Sequence, residues 1–176
     1  MTTDWKPDSA VTCETFVLKT DGVGDLDDFS ANYSKYLIST IDEPKEAAQA
    51  WRKQAQKHPV EGRVSLRLGE QELAPATLWC DLEGFWLAII ETADAHLKGG
   101  AGEAELSDQP VVVSLRSKGT LAEFRILDSA AVVEPEPFLQ SLLAGADNFY
   151  AWVEEHIGGI APEVRKNIAE LSQQRH

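Results

Sequence analysis

The sequence predicts an α+β protein in which an antiparallel or mixed sheet of about four to five strands packs on a central helix, with two further helices at the C-terminus. The central helix is predicted at residues 82–97, where apolar residues recur three and four positions apart. Short β-branched or alternating segments occur on both sides of this helix, and the last third of the chain returns to helical spacing. This order of strands, helix, strands and helices is typical of the α+β class.

The N-terminal half is predicted to supply strands and helices in turn. Residues 11–19 are rich in β-branched and aromatic residues and predict the first strand. Residues 26–40 fit either a helix or a strand that begins later, and we favour the helix. The acidic residues before Pro44 predict a peripheral helix that ends near residue 57, with Trp51 as its single large residue. Residues 63–68 alternate apolar and polar, as a strand with one buried face does.

The chain beyond the central helix is predicted to form a hairpin, a short strand and two helices. Gly99 and Gly100 end the central helix, a polar link containing Gly119 joins the hairpin strands, and Gly158 and Gly159 separate the last two helices. The predicted segments are, in order, 111–116, 121–126, 131–133, 138–157 and 160–171.

Length and composition predict a single globular domain over residues 1–176. The chain is 43% hydrophobic and contains neither a long polar linker nor an internal repeat. Its N-terminus lacks the pattern of a secretory signal, and its longest apolar run, residues 85–90, is too short to cross a bilayer. We therefore expect a cytoplasmic protein that does not contact membranes.

The side chains that usually carry chemistry occur here without a recognisable pattern. Cys13 and Cys80 lack a CxxC spacing and lie in apolar surroundings, which predicts two buried, reduced thiols. The histidines show no zinc-site spacing, and no serine stands in a GxSxG sequence. We therefore expect no metal, no cofactor and no enzymatic activity.

Net charge is the strongest compositional signal. The chain has 29 acidic and 16 basic residues, for a formal net charge of −13. Such a surface repels nucleic acid and favours a basic protein partner. The leading hypothesis is a protein-binding module, most concretely a bacterial immunity-type inhibitor that neutralises a toxin domain. The candidate contact residues are acids in predicted loops, namely Asp25, Asp27, Asp28, Glu103, Glu105 and Asp108.

The first three of these acids also have a structural interpretation. Asp25 is placed to cap a helix that begins at Leu26, and Asp27 and Asp28 would complement the positive end of that helix.

The alternative hypothesis is a small-molecule-binding or enzymatic domain. Its pocket would be lined by Trp79, Phe85, Trp86 and arginines of the sheet, although Trp86 is better explained as a core residue. If the strands are neighbours, the arginines would gather on the sheet face away from the central helix and could grip a carboxylate or phosphate. We favour the simpler interpretation that they form cross-strand ion pairs with Glu123 and nearby acids. These arginines are Arg63, Arg67, Arg116 and Arg125.

Overall fold

The computed structural model describes residues 9–19, 23–159 and 162–174, and it confirms the α+β class. The helices are α1 (Leu26–Asn32), α2 (Pro44–Ala55), α3 (Leu82–Gly99), α4 (Pro135–His156) and α5 (Pro162–Gln173), with a 3₁₀ turn at Tyr33–Lys35. The strands are β1 (Thr12–Leu18), β2 (Leu37–Ser39), β3 (Glu61–Leu68), β4 (Gln71–Glu72), β5 (Cys80–Asp81), β6 (Ala101–Glu105), β7 (Val112–Lys118), β8 (Leu121–Ile126) and β9 (Ser129–Val133). The predicted first residue of the last helix, Ile160, lies outside the described residues.

The strands form two antiparallel sheets, whereas the sequence predicted one. The first sheet has the order β2-β1-β3-β4, with β5 also paired to β3, and the second has the order β6-β7-β8-β9. The chain leaves the first sheet at β5, runs through α3, and starts the second sheet directly afterwards. The central helix therefore separates the strands that precede it from those that follow it.

Helices α3 and α4 contact both sheets and form the core with them. Trp86 of α3 is fully buried, as predicted for a core residue, and its indole N–H donates to Thr15 Oγ1 in the first sheet at 3.1 Å. Its ring lies 6.3 Å from that of Phe149 in α4. On the other side, Phe138 of α4 packs on Phe124 of the second sheet at 5.0 Å.

Capping residues set both ends of α3. Asp81 accepts the N–H of Glu83 at 3.2 Å, and Gly100 adopts a left-handed φ of 78° while its N–H donates to the carbonyl of His96. Strand β6 then returns along the helix so closely that a Cβ on Gly102 would lie 1.9 Å from the carbonyl oxygen of Thr92. The close approach fixes the start of the second sheet against α3.

Residues 26–40 contain both of the structures that the sequence allowed. The favoured helix forms at α1, but residues 37–39 form the edge strand β2, paired with β1. The segment lies on the outer face of the first sheet, where Phe29, Leu18 and Leu37 form a small separate apolar cluster. Phe29 is the only buried residue of α1, so this helix is lightly attached.

Helix α2 is less peripheral than its composition indicated. Trp51 is 4% exposed and packs edge-on against Trp152 of α4, with ring centroids 5.7 Å apart. Gln54 is also buried, and its amide bonds the carbonyl of Leu18 and the N–H of Glu61. The prediction of a peripheral helix was wrong because small alanines on the same face let α2 approach the sheet and α4 closely.

Candidate partner-binding surface

The three aspartates at the start of α1 occupy defined positions in the cap and first turn of that helix. The Asp25 carboxylate accepts the N–H groups of Asp27 and Asp28 at 3.0 and 3.1 Å, which confirms the predicted helix cap. Asp27 and Asp28 occupy the first helical turn and not a loop, because this cap starts the helix at Leu26. The side chain of Asp27 faces solvent.

The carboxylate of Asp28 is engaged in hydrogen bonds within the protein. It accepts hydrogen bonds from the Tyr36 hydroxyl, from Lys35 Nζ at 2.9 Å and from Asn32 Nδ2 at 3.0 Å. These donors lower the pKa of Asp28 to about 2. Asp28 therefore ties α1 to the 3₁₀ turn that follows it, and a partner would meet a carboxylate that is already paired.

Asp108 lies in an exposed loop, as expected, and anchors that loop to the start of α3. Its Oδ2 accepts the N–H of Asp81 at 2.8 Å, and Ser107 Oγ donates to the Asp81 carboxylate at 3.1 Å. Gln109 Nε2 donates to the carbonyl of Trp79 at 2.9 Å. The loop is thus held in place by three hydrogen bonds to residues 79–81.

Trp79 connects this loop to α1. Its ring packs edge-on against Phe29, with centroids 5.5 Å apart, so α1 and the Asp108 loop both contact the same tryptophan. Glu61 joins them because it is the register partner of Asp81 in the β3–β5 pair. We call the resulting surface the acidic edge, and it comprises Asp25, Asp27, Asp28, Glu61, Asp81 and Asp108.

The buried thiol of Cys80 experiences the negative charge of three of these acids. Burial raises its pKa, and the carboxylates of Asp108, Asp81 and Glu61 raise it further by disfavouring a second negative charge. Burial and Glu72 likewise raise the pKa of Cys13 to about 12. Both cysteines are free thiols, as the sequence predicted, but only Cys80 is buried and Cys13 is half-buried.

Glu103 and Glu105 lie outside the acidic edge. They were expected in loops, but both are in β6, where alternate residues point away from α3 onto the outer face of the second sheet. The Glu103 carboxylate is paired with the Arg116 guanidinium at 2.7 Å. The expectation failed because the inward-facing residues of β6, Gly102 and Ala104, are too small to give an apolar alternation.

The four arginines do not gather on one face, because their strands belong to different sheets. Arg63 and Arg67 are in β3, whereas Arg116 and Arg125 are in the second sheet. In the second sheet Arg116 forms the expected cross-strand pair, with Glu103 of β6, whereas Arg125 contacts Glu123 at 2.9 Å along its own strand.

Arg63 is buried despite its position on the outer face of the first sheet. Its residue surface is 5% exposed, its guanidinium lies 5.1 Å from the ring centroid of Tyr33, and its Nη2 is 3.6 Å from the Glu72 carboxylate. Its Nε has no hydrogen-bond acceptor among the described residues. The 3₁₀ turn covers this arginine, and sequence alternation alone could not reveal that cover.

The surface clefts do not match the predicted ligand pocket. Five clefts on the described part of the chain include one of about 620 Å³ that is lined by Trp51, His58, Asp81 and Glu83 among others. Neither Trp79 nor Trp86 lines any of the five, and neither does any of the four arginines. Burial and the nearby Asp81 raise the pKa of Glu83, which lines the 620 Å³ cleft.

Sequence reasoning missed two members of the acidic edge, Glu61 and Asp81. Asp81 carried a usable signal, since it directly precedes the first apolar residue of a helical stripe, the position where a capping aspartate is favoured. Glu61 carried none, because its place depends on the pairing of β3 with β5.

Within residues 9–19, 23–159 and 162–174, no three histidine, cysteine or acidic side chains come together as metal ligands, and no helix is long and apolar enough to cross a membrane. Comparisons with protein-family models, with curated proteins and with solved structures find no match to this chain.

Proposed function

We propose that this chain is a protein-binding module that binds a basic protein through the acidic edge. The observation that carries the proposal is that α1 and the Asp108 loop, which both bear exposed acids, contact the same tryptophan, Trp79. Of the six carboxylates of the acidic edge, only Asp28 forms an ion pair with a described residue. Unpaired carboxylates on one surface attract a positively charged partner over a long range and help to select it.

The acidic edge is also held in a defined shape. Asp25 caps a helix. Asp108 accepts a hydrogen bond from the N–H of Asp81, and the Asp81 carboxylate accepts one from the hydroxyl of Ser107. A surface that is ordered before binding loses less conformational entropy when the partner arrives. This order supports recognition of a specific protein over loose attraction of any cation.

The concrete form of the proposal is an immunity-type inhibitor of a bacterial toxin that acts on nucleic acid. Enzymes of that kind hold the phosphate backbone with lysine and arginine side chains. A surface rich in carboxylates presents the same sign of charge as the phosphates and could occupy such a cleft. The net charge of −13 makes nucleic acid itself a poor partner for this chain.

The alternative of a small-molecule pocket has less support. Trp86 is fully buried in the core, Trp79 packs on α1, and the arginines are divided between two sheets. No described cleft combines them, so we retain the protein-binding proposal.

Neutralising the acidic edge without removing its hydrogen-bond acceptors tests the proposal. The variant Asp25→Asn, Asp27→Asn, Asp108→Asn keeps an acceptor oxygen at every position while it removes three charges. We expect a partner retained from native lysate, once identified and purified, to bind this variant at least about tenfold more weakly in calorimetry. Binding of the parent chain is also expected to weaken between about 50 and 300 mM salt.

The matched control removes three exposed charges elsewhere, with Glu91→Gln, Glu163→Gln and Glu170→Gln on α3 and α5. This control is expected to retain most of the affinity. Equal losses in both variants would show that net charge alone governs binding, and the acidic edge would then be rejected as the binding site. Retention of no protein at either salt concentration would contradict the proposal as a whole.

A further inference from the structure

The outer face of the second sheet is a separate surface with an unusual composition for this chain. Its inner side packs on α3 and α4, whereas the outer side is covered by no described element. Val112, Leu127 and Val132, which are 41%, 47% and 47% exposed, lie on this face or at its β8–β9 turn. They are three of the seven large apolar side chains that are exposed in the described part of the chain.

The charges on this face nearly cancel, although the whole chain is strongly acidic. Three acids, Glu103, Glu105 and Glu123, are balanced by three bases, Arg116, Lys118 and Arg125, and the β8–β9 turn adds the exposed Asp128. Two copies of a chain with net charge −13 repel each other through most of their surface. A nearly neutral face with exposed apolar residues is where a second copy can approach with the least repulsion.

The charges are also arranged so that the face complements itself. The register pairs Glu105 with Val112 at one end of the strands, and Lys118 with Leu121 at the other end. A twofold axis parallel to the sheet and perpendicular to its strands would place the Glu105 end of one copy on the Lys118 end of the other. It would also bring Leu127 at the end of β8 in one copy onto Leu121 of the second, with Val112 over the Lys118 end of β7.

The backbone at Leu127 is an independent observation that favours a contact here. Leu127 begins the two-residue turn between Ile126 and Ser129 and has a φ of 51°. Glycine or asparagine adopts that conformation with less strain than leucine does. An exposed leucine at a strained turn position gains nothing from folding alone, whereas contact with another molecule would bury it.

From these observations we infer that the outer face of the second sheet is a homodimer interface. A face of four strands about five residues long measures roughly 15 by 17 Å from strand spacing and rise, which is small for a protein interface. The dimer is therefore expected to be transient and to form at high protein concentration. The Asp108 loop of the acidic edge connects β6 to β7 at the Glu105 and Val112 end of this face.

Sedimentation equilibrium over about 20 to 500 µM tests this inference in the range of weak association. We expect the average mass to rise from that of the 19.4 kDa chain toward twice that value. Val132→Glu is expected to weaken dimerisation at least about tenfold, while Leu87→Glu, at a similarly exposed site on α3, is expected to leave it unchanged. Glu105→Lys and Lys118→Glu should each weaken the dimer, and the double variant should restore it.

Leu127→Gly separates a contact role from a structural one. Glycine relieves the strained φ, so the thermal midpoint of the variant is expected to rise while its dimer weakens. A monomeric mass at the highest concentration would overturn the inference. So would a dimer that survives Val132→Glu and Leu127→Gly but is lost in Leu87→Glu.

Discussion

Arg63 is the residue at which burial and charge conflict most clearly. Its nearest carboxylate belongs to Glu72, which already accepts the Ser65 hydroxyl and the Leu66 N–H at 2.8 Å each. The Nη2 of Arg63 is left at 3.6 Å from that carboxylate, and its Nε has no described acceptor. A buried charge with incomplete hydrogen bonding costs desolvation energy that a single distant partner does not recover.

We therefore expect Arg63→Met to leave the free energy of unfolding within about 1 kcal/mol of the parent value or to raise it, because methionine keeps the contact under Tyr33 without the charge. Glu72→Met is expected to cost roughly 3 kcal/mol, since it leaves both the Arg63 charge and the Leu66 N–H unpaired. Urea unfolding measures both, with Arg67→Met at the exposed position of the same strand as the control. A loss of several kcal/mol in Arg63→Met alone would show that the arginine is stabilising.

The position of strand β6 against α3 determines where the second sheet begins. The sequence of β6 gives little indication of that position. Its inward residues are Gly102 and Ala104, and the helix backbone at Thr92 lies directly against Gly102. Larger residues would push β6 away from α3 and with it the start of the second sheet. The lack of an apolar alternation is therefore a consequence of close packing.

Gly102→Ala is expected to lower the free energy of unfolding by roughly 3 kcal/mol, because its methyl group would overlap a backbone carbonyl that cannot move without displacing the helix. Gly99→Ala, in the last turn of α3, is the matched control, since a Cβ there meets no atom within 4 Å. Urea unfolding of the two variants compares them. Equal stabilities would mean that β6 shifts freely along α3.

Elements with an apolar pattern repeated over many residues, or with a characteristic turn sequence, could be predicted. Elements whose position depends on tertiary contacts could not. The apolar stripe and the capping residues of α3 are local, as is the glycine turn of the β7–β8 hairpin. The division into two sheets depends on the approach of β6 to α3, and the burial of Trp51 depends on α4. Within the site, the Asp25 cap was predictable, whereas the meeting of α1 and the Asp108 loop at Trp79 was not.

At the scale of the whole molecule, the net charge has different consequences on different surfaces. The acidic edge concentrates carboxylates, while on the outer face of the second sheet Glu103 and Glu123 are paired with bases. The described ion pairs are mostly exposed and contribute little stability individually. Long-range repulsion among the excess acids therefore acts against folding, and salt or a basic partner relieves it.

Sodium chloride is consequently expected to raise the free energy of unfolding between about 20 and 300 mM, because the Debye length falls below the separation of the excess carboxylates. The compact state gains more than the unfolded chain, in which the same charges are farther apart. Urea unfolding at fixed pH measures this, with choline chloride as a check against specific sodium binding. Affinity for a basic partner should fall over the same range of salt concentration. The excess negative charge therefore predicts that salt stabilises the fold and weakens binding. If salt lowered the stability, local pairs such as that of Arg165 with Asp147 would outweigh the repulsion among the excess carboxylates.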